Sequence, residues 1–146
     1  MKKQDKTVNI KNRRASFDYE FILDCTAGIV LQGSEVKSLQ GGLGSINGSY
    51  CYFKNGELWL KNFVIEHWKQ LDKHEPHREK KLLLTKKQLR TVERELVPGK
   101  TIIVKRVHTL NGRIKVDIAL ARGKKDYDKR QAIKERDIKR EMDRER

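Results

Sequence analysis

Residues 17–25 read Phe17-Asp18-Tyr19-Glu20-Phe21-Ile22-Leu23-Asp24-Cys25. Phe17, Tyr19, Phe21, Leu23 and Cys25 occupy every second position, with Asp18, Glu20, Ile22 and Asp24 between them. A period of two sends alternate side chains to opposite faces of an extended chain, so this stretch predicts a β-strand with one solvated face. Ala27-Gly28 then bends the chain into a second short strand, Ile29-Val30-Leu31-Gln32.

The same signals recur toward the C-terminus. Ser49–Phe53 and Glu57–Ile65 flank Asn55-Gly56, and Thr101–Thr109 and Arg113–Ala121 flank Asn111-Gly112. Asn-Gly tolerates positive φ at both central positions of a tight turn, so each pair predicts a β-hairpin. In the second hairpin Ile103, Lys105 and Val107 alternate with Ile102, Val104 and Arg106. Gly33-Ser34 opens a short helix over Glu35–Gln40, with Ser34 as cap, Val36 and Leu39 toward the core, and Gly41-Gly42 as the stop. Thr85 and Gln88 form a capping box before Leu89, Val92 and Leu96, whose spacing is helical, and Pro98-Gly99 ends that helix. Residues 66–80, with His67, His74, Pro76 and His77, read as a polar linker. The sum is a mainly β fold with flanking helices and mostly antiparallel connections. A small antiparallel barrel of the oligonucleotide-binding type fits that count.

Length and charge set the organisation. The 146 residues suit one domain. The net charge of +14 attracts polyanions. Residues 1–14 hold six basic residues and one acidic, and residues 122–146 hold eleven and seven, so positive charge is densest at the ends. The chain divides into a flexible basic arm at 1–12, an RNA-binding β-barrel domain at 13–122, and a basic tail at 123–146. In the tail Ile133, Ile138 and Met142 form no wide apolar stripe. Its pairs Glu135–Lys139 and Lys139–Asp143 contribute only about 0.2–0.5 kcal/mol each, which predicts a segment disordered when free and helical against a polyanionic surface. No apolar run approaches a membrane span, and Met1-Lys2-Lys3-Gln4-Asp5 leads into no apolar signal region, so no membrane partner is expected and the location is cytoplasmic. Cys25 and Cys51 follow no zinc spacing and read as reduced, half-buried small residues.

Catalytic readings lack partners. Gly41-Gly42-Leu43-Gly44-Ser45 is a turn without the Lys-Ser/Thr ending of a phosphate loop. His74-x-x-His77 has metal spacing but no cysteine nearby, and reads as a solvated loop. Glu35 has no second carboxylate placed beside it for acid–base work. Neither a cofactor nor a metal is called for, and the chain reads as a non-enzyme. The basic groups say more. Asn12-Arg13-Arg14 pairs an amide with two guanidinium forks suited to phosphates. Arg113 and Lys115 share a face of the second hairpin beside Lys105 and Arg106, and Lys124-Lys125 with Asp128-Lys129-Arg130 form a third cluster.

Three motifs in order are more specific than any cluster: Leu31-Gln32-Gly33-Ser34-Glu35-Val36-Lys37-Ser38, Lys80-Lys81-Leu82-Leu83-Leu84, and Gly123-Lys124-Lys125-Asp126-Tyr127-Asp128-Lys129-Arg130. Together they resemble the small protein B family over about Asn12 to Arg136. The resemblance implies an oligonucleotide-binding barrel that holds the tRNA-like domain of transfer-messenger RNA. It also implies delivery of the aminoacylated RNA by elongation factor Tu to stalled ribosomes for trans-translation. The tail would enter the empty messenger channel beside the small-subunit decoding centre. By motif match, Asn12, Arg13, Arg14, Glu35, Lys37 and Lys115 fall on or near the RNA-facing side of the barrel, and Lys124, Lys125, Tyr127, Asp128, Lys129 and Arg130 in the ribosome-binding tail. Tyr127 stands where some members have His, and Ile138 where some have Trp. Two other readings remain open from the residues: a general single-strand-binding or ribosomal module on the same barrel, and an RNA-processing enzyme.

Overall fold

Twelve elements account for most of the computed structural model, which describes residues 7–69 and 73–124. In chain order they are β1 (Asn9–Lys11), α1 (Ala15–Asp18), β2 (Tyr19–Ile29), α2 (Gly33–Gln40), β3 (Gly44–Ser45), β4 (Tyr50–Lys54), β5 (Glu57–Lys61), β6 (Val64–Ile65), β7 (Lys80–Leu83), α3 (Lys86–Glu95), β8 (Lys100–Leu110) and β9 (Arg113–Gly123). The main sheet runs β8-β4-β5-β7-β2-β9, and β9 pairs back onto β8, so six antiparallel strands close a barrel. Closure pairs the two outer strands of the six with each other, so neither of those edges is left open along its barrel part. β1 adds to the free part of β8, and β3 pairs with β6 as a separate ribbon.

Local chemistry fixes the turns. Asn55-Gly56 and Asn111-Gly112 each take two consecutive positive φ values, at 54° and 75° and at 53° and 75°. They join β4 to β5 and β8 to β9 as expected. Thr85 Oγ1 accepts from the Gln88 N–H at 3.1 Å and Gln88 Oε1 accepts from the Thr85 N–H at 3.0 Å, completing the box that starts α3.

The barrel interior is filled by Leu58, Leu60, Val104, Val107 and Val116, all without exposed surface, with Ile102, Ile118 and Leu120 nearly so. Each such side chain contributes about 1.5–3 kcal/mol of burial. Val104 and Val107 are three residues apart yet both point inward. The reason is a bulge: Val104 faces Ile118 and Arg106 faces Asp117, leaving Lys105 unpaired between them. A second irregularity in β2 leaves Ile22 unpaired between Phe21, opposite Ala121, and Leu23, opposite Leu120. An extra residue in one strand swaps the faces beyond it. Leu23 and Cys25 therefore join the interior, whereas Tyr19 and Phe21 pack outside on Ala15, Ile103, Ala119 and Ala121.

The apolar residues of the 17–25 stretch do not share one face, and neither do Ile103 and Val107. Phe17 and Asp18 lie in α1, and β2 continues unbroken to Ile29 rather than bending at Ala27-Gly28. The arm expected at 1–12 carries a strand: Val8 is buried, its N–H donates to Thr109 Oγ1 at 2.8 Å, and Asn9–Lys11 pair with Arg106–His108. The alternation Val8-Asn9-Ile10-Lys11 was too short to stand out beside the charge of its neighbours. Gln32, not Ser34, caps α2, exchanging bonds with Glu35. The linker ends in strand β7, and His74 is buried, held between Ser34 Oγ at 2.7 Å and the Ile65 carbonyl at 2.9 Å. Cys25 is half-buried and Cys51 buried, both free thiols, and burial pushes the Cys51 thiol far above its ordinary range. No helix among the described residues is long and apolar enough to cross a membrane.

Candidate RNA-binding surface

Asn12 follows β1, where the chain turns away from the bulge at Lys105. Its N–H donates to the Lys105 carbonyl at 2.9 Å, and its side-chain Nδ2 donates to the Val104 carbonyl at 3.1 Å. A bulge frees ladder carbonyls, and a buried carbonyl without a donor is costly. Asn12 supplies both donors, so it fixes the point from which Arg13 and Arg14 project. Arg13 is exposed. Arg14 precedes α1, stands 5.4 Å over the Phe17 ring and lies 3.6 Å from Asp18.

A groove of about 390 Å³ opens beside this corner, lined by Lys11, Asn12, Arg13, Phe21, Lys105 and Arg106, with Asp117 at its edge. Lys105 Nζ lies 4.6 Å over the Phe21 ring and 3.1 Å from Asp24 Oδ1. Arg106 Nε donates to Asn9 Oδ1 at 2.8 Å. Cations beside a half-buried aromatic ring suit a phosphate backbone with an unstacked base. Asp117 accepts from Thr26 Oγ1 at 2.8 Å and lies 3.1 Å from His108 Nε2. Burial works to raise its carboxyl, but the bonds from His108 and Thr26, with the nearby charges of His108 and Arg106, outweigh burial and hold it below the usual carboxylate range. Asp117 thus stays ionised and anchors β2 to β8 across β9.

Lys115 lies on the same strand pair, opposite His108 on β8 and Gly28 on β2. It lines a cleft of about 710 Å³ with Arg113, Gly28, Leu83, Val36 and Gln40. A Cβ at Gly28 would stand 3.3 Å from Leu83 Cβ and 3.7 Å from Lys115 Nζ, so the bare glycine lets both side chains pass close. Leu83 is exposed at this rim, an apolar surface beside a cation.

The structure separates the expected RNA residues. Asn12, Arg13 and Arg14 meet at one corner, and Lys115 belongs to the second cleft. Lys37 is exposed on α2. Glu35 has no exposed surface, so its carboxylate is not an RNA contact in this conformation. It pairs inside the protein with Arg78 and Lys80. Reading from sequence missed Lys11 and Phe21, because one lay in the expected arm and the other looked like core. It also missed Arg78 and Lys80, whose role depends on Glu35 being buried. Of the tail, Lys124 is described: its N–H donates to the Asp18 carbonyl at 2.9 Å and Nζ to the Ser16 carbonyl at 2.8 Å. Lys125, Tyr127, Asp128, Lys129 and Arg130 lie outside the described residues. Among the described residues no three His, Cys, Asp or Glu side chains gather as a metal site would require.

A closed antiparallel barrel with basic, partly apolar grooves on one strand group defines a barrel of the oligonucleotide-binding class. The family model described as SmpB protein matches residues 9–146, and the chain belongs to that family. The SsrA-binding protein of Phocaeicola vulgatus is 52% identical over 141 residues, covering 94% of each chain. That of Parabacteroides distasonis is 48% identical over 141 residues, covering 94% of this chain and 92% of the relative. A solved structure described as "tmRNA-SmpB: a journey to the center of the bacterial ribosome" is 38% identical. It superposes with a TM-score of 0.68 over 81% of this chain and 85% of that one.

Proposed function

We propose that the chain binds the tRNA-like domain of transfer-messenger RNA and brings it to stalled ribosomes for trans-translation. It acts by binding, not catalysis, in the cytoplasm and without a cofactor. The observation that carries this reading is the corner at Asn12. A bulge in β8 and the amide that satisfies it aim Arg13 beside Lys11, Lys105 and Arg106, while Arg14 lines the neighbouring cleft with Asp18 and Tyr19. The barrel carrying that corner is similar over most of its length to one described with tmRNA on the bacterial ribosome.

The groove and the Lys115 cleft form the RNA-facing side. Arg13, Arg14 and Lys115 contact phosphates, while Lys37 flanks the cleft from α2. The tail from Lys124 onward, with Lys125, Tyr127, Asp128, Lys129 and Arg130, reads the vacant messenger channel at the small-subunit decoding centre. Elongation factor Tu carries the aminoacylated RNA in the same complex. Lys124, bonded to α1, fixes where the tail leaves the barrel.

The test is peptide tagging on ribosomes stalled at a message without a stop codon, with aminoacylated transfer-messenger RNA and elongation factor Tu supplied. The full chain supports tagging. A chain ending at Lys124 retains RNA binding and does not support tagging. Absence of tagging with the full chain, or full tagging with the shortened one, contradicts this reading.

A further inference from the structure

A charged cluster lies where a β-barrel ordinarily places apolar side chains. Glu35 and Lys80 both have no exposed surface. Glu35 Oε1 accepts from the Gln32 N–H at 2.8 Å and from Arg78 Nη2 at 2.5 Å. Its Oε2 accepts from Arg78 Nε at 3.3 Å and lies 3.9 Å from Lys80 Nζ. Lys80 Nζ donates to the Phe63 carbonyl at 2.7 Å and the Arg78 carbonyl at 2.6 Å, and stands 5.2 Å over the Phe63 ring. Arg78 also donates to the carbonyls of Val30 at 3.2 Å and Glu79 at 3.3 Å.

Such a cluster is a poor device for stability alone. Each buried charge loses its hydration, and apolar side chains of similar volume often do as well or better. What the cluster does is fix geometry. Glu35 closes the first turn of α2 through its bond to Gln32, and the same carboxylate is held by side chains from β7 and the loop before it. The turn that follows presents Val36, and the next one Gln40, to the cleft that holds Lys115.

We propose that Arg78 and Lys80 are positioning residues for RNA binding: acting through Glu35 they set the place of α2, and with it the width of the cleft between α2 and Lys115. This rests on the reading of that cleft as RNA-facing. Glu35 itself works from inside, and the contacts are made by its neighbours on the helix.

Titration separates this role from a merely structural one. Burial lowers the Lys80 ammonium from 10.5 to about 8, against the pull of Glu35 and Glu75 and with Arg78 adding to the lowering. Those three side chains are the charged groups that act on it, Glu35 from α2 and the other two from the loop before β7. Above that pH the charge facing Glu35 is lost and α2 is held by Arg78 alone. For folding the sign is opposite. Between the folded value of about 8 and the unfolded value of 10.5 the unfolded chain binds more protons, so the contribution of this group to stability rises with pH.

The experiment measures affinity of the full chain for the tRNA-like domain at constant salt from about pH 7 to about pH 9, beside thermal unfolding under the same conditions. The wild type loses about fivefold in affinity across that range, the low end for coupled sites, without a matching loss of stability. Lys80→Met binds more weakly at neutral pH with a flat profile. Arg78→Met, at a partly exposed position, also binds more weakly and keeps the pH dependence, with thermal unfolding reporting whether it folds. Arg78→Lys restores part of the loss, because an ammonium cannot make both guanidinium bonds. Wild-type affinity that is flat with pH, or Lys80→Met and Arg78→Met variants that bind like wild type, overturns the proposal. A wild type that does not bind this RNA at all overturns the cleft reading and the proposal with it.

Discussion

Asn12 Nδ2 stands 3.1 Å from the carbonyl oxygen of Val104, across a bulge that leaves Lys105 without a partner on β9. One amide thus joins a structural need to the placement of two arginines. Asn12→Ala removes a partly buried hydrogen bond and orphans that carbonyl, which costs about 1–2 kcal/mol. Both the melting temperature and RNA affinity fall in this variant, measured by thermal unfolding and gel shift. An unchanged melting temperature means that the amide does not support the bulge.

Arg13→Ala and Lys115→Ala behave differently. Arg13 is exposed and makes no side-chain bond among the described residues, and Lys115 lines an open cleft. Each substitution weakens binding to the tRNA-like RNA by about 1–3 kcal/mol, the scale of a charge-assisted hydrogen bond. Exposed cations contribute little to folding, so thermal unfolding is unchanged. Normal binding by both variants means the RNA face lies elsewhere on the barrel.

The charge of the groove sets a salt dependence. Lysine and arginine contacts to phosphate release counterions, so log affinity falls linearly with log salt, with a slope of about −0.7 to −0.9 per phosphate neutralised. The isotherms of Arg13→Ala and Lys115→Ala show a slope shallower by about one contact each. A slope near zero for the wild type excludes binding through the phosphate backbone.

The hairpin turns and the cap of α3 were readable from sequence because their chemistry is local. Asn55-Gly56, Asn111-Gly112 and Thr85 with Gln88 each specify a backbone shape within four residues. The bulges were not readable, because the apolar runs Phe21-Ile22-Leu23 and Ile102-Ile103-Val104 blur the period of two, and an extra residue shows only against a partner strand whose pairing residues run on without a gap. The same limit hid the outward position of Phe21, now part of the groove. Glu35 was picked out by its motif, but its burial depends on Arg78 and Lys80, more than forty positions away. Strand β7 was missed because Lys80 looks like surface until its ammonium is seen against the carbonyls of Phe63 and Arg78.

Asp117 gives an acid-side test. Its carboxyl is held below the ordinary 3.8 by His108, Thr26 and Arg106, against the effect of burial. A lowered folded value means stability that is present above the unfolded value and is lost as pH falls through the folded one. Acid unfolding of the wild type therefore draws on Asp117 below about pH 4, where the unfolded carboxyl takes up its proton. Asp117→Asn is less stable at neutral pH and loses less on acidification. Parallel acid-unfolding curves for the two proteins contradict this assignment.

The most direct measurement is equilibrium binding of the full chain to the tRNA-like domain of transfer-messenger RNA in the presence of excess bulk tRNA. Bulk tRNA offers the same phosphate charge and a related shape, so it separates a specific partner from general attraction to structured RNA. The account predicts saturable one-to-one binding that bulk tRNA does not displace. Equal affinity for bulk tRNA, with full displacement at matched nucleotide concentration, would contradict it and leave a general RNA-binding barrel in its place.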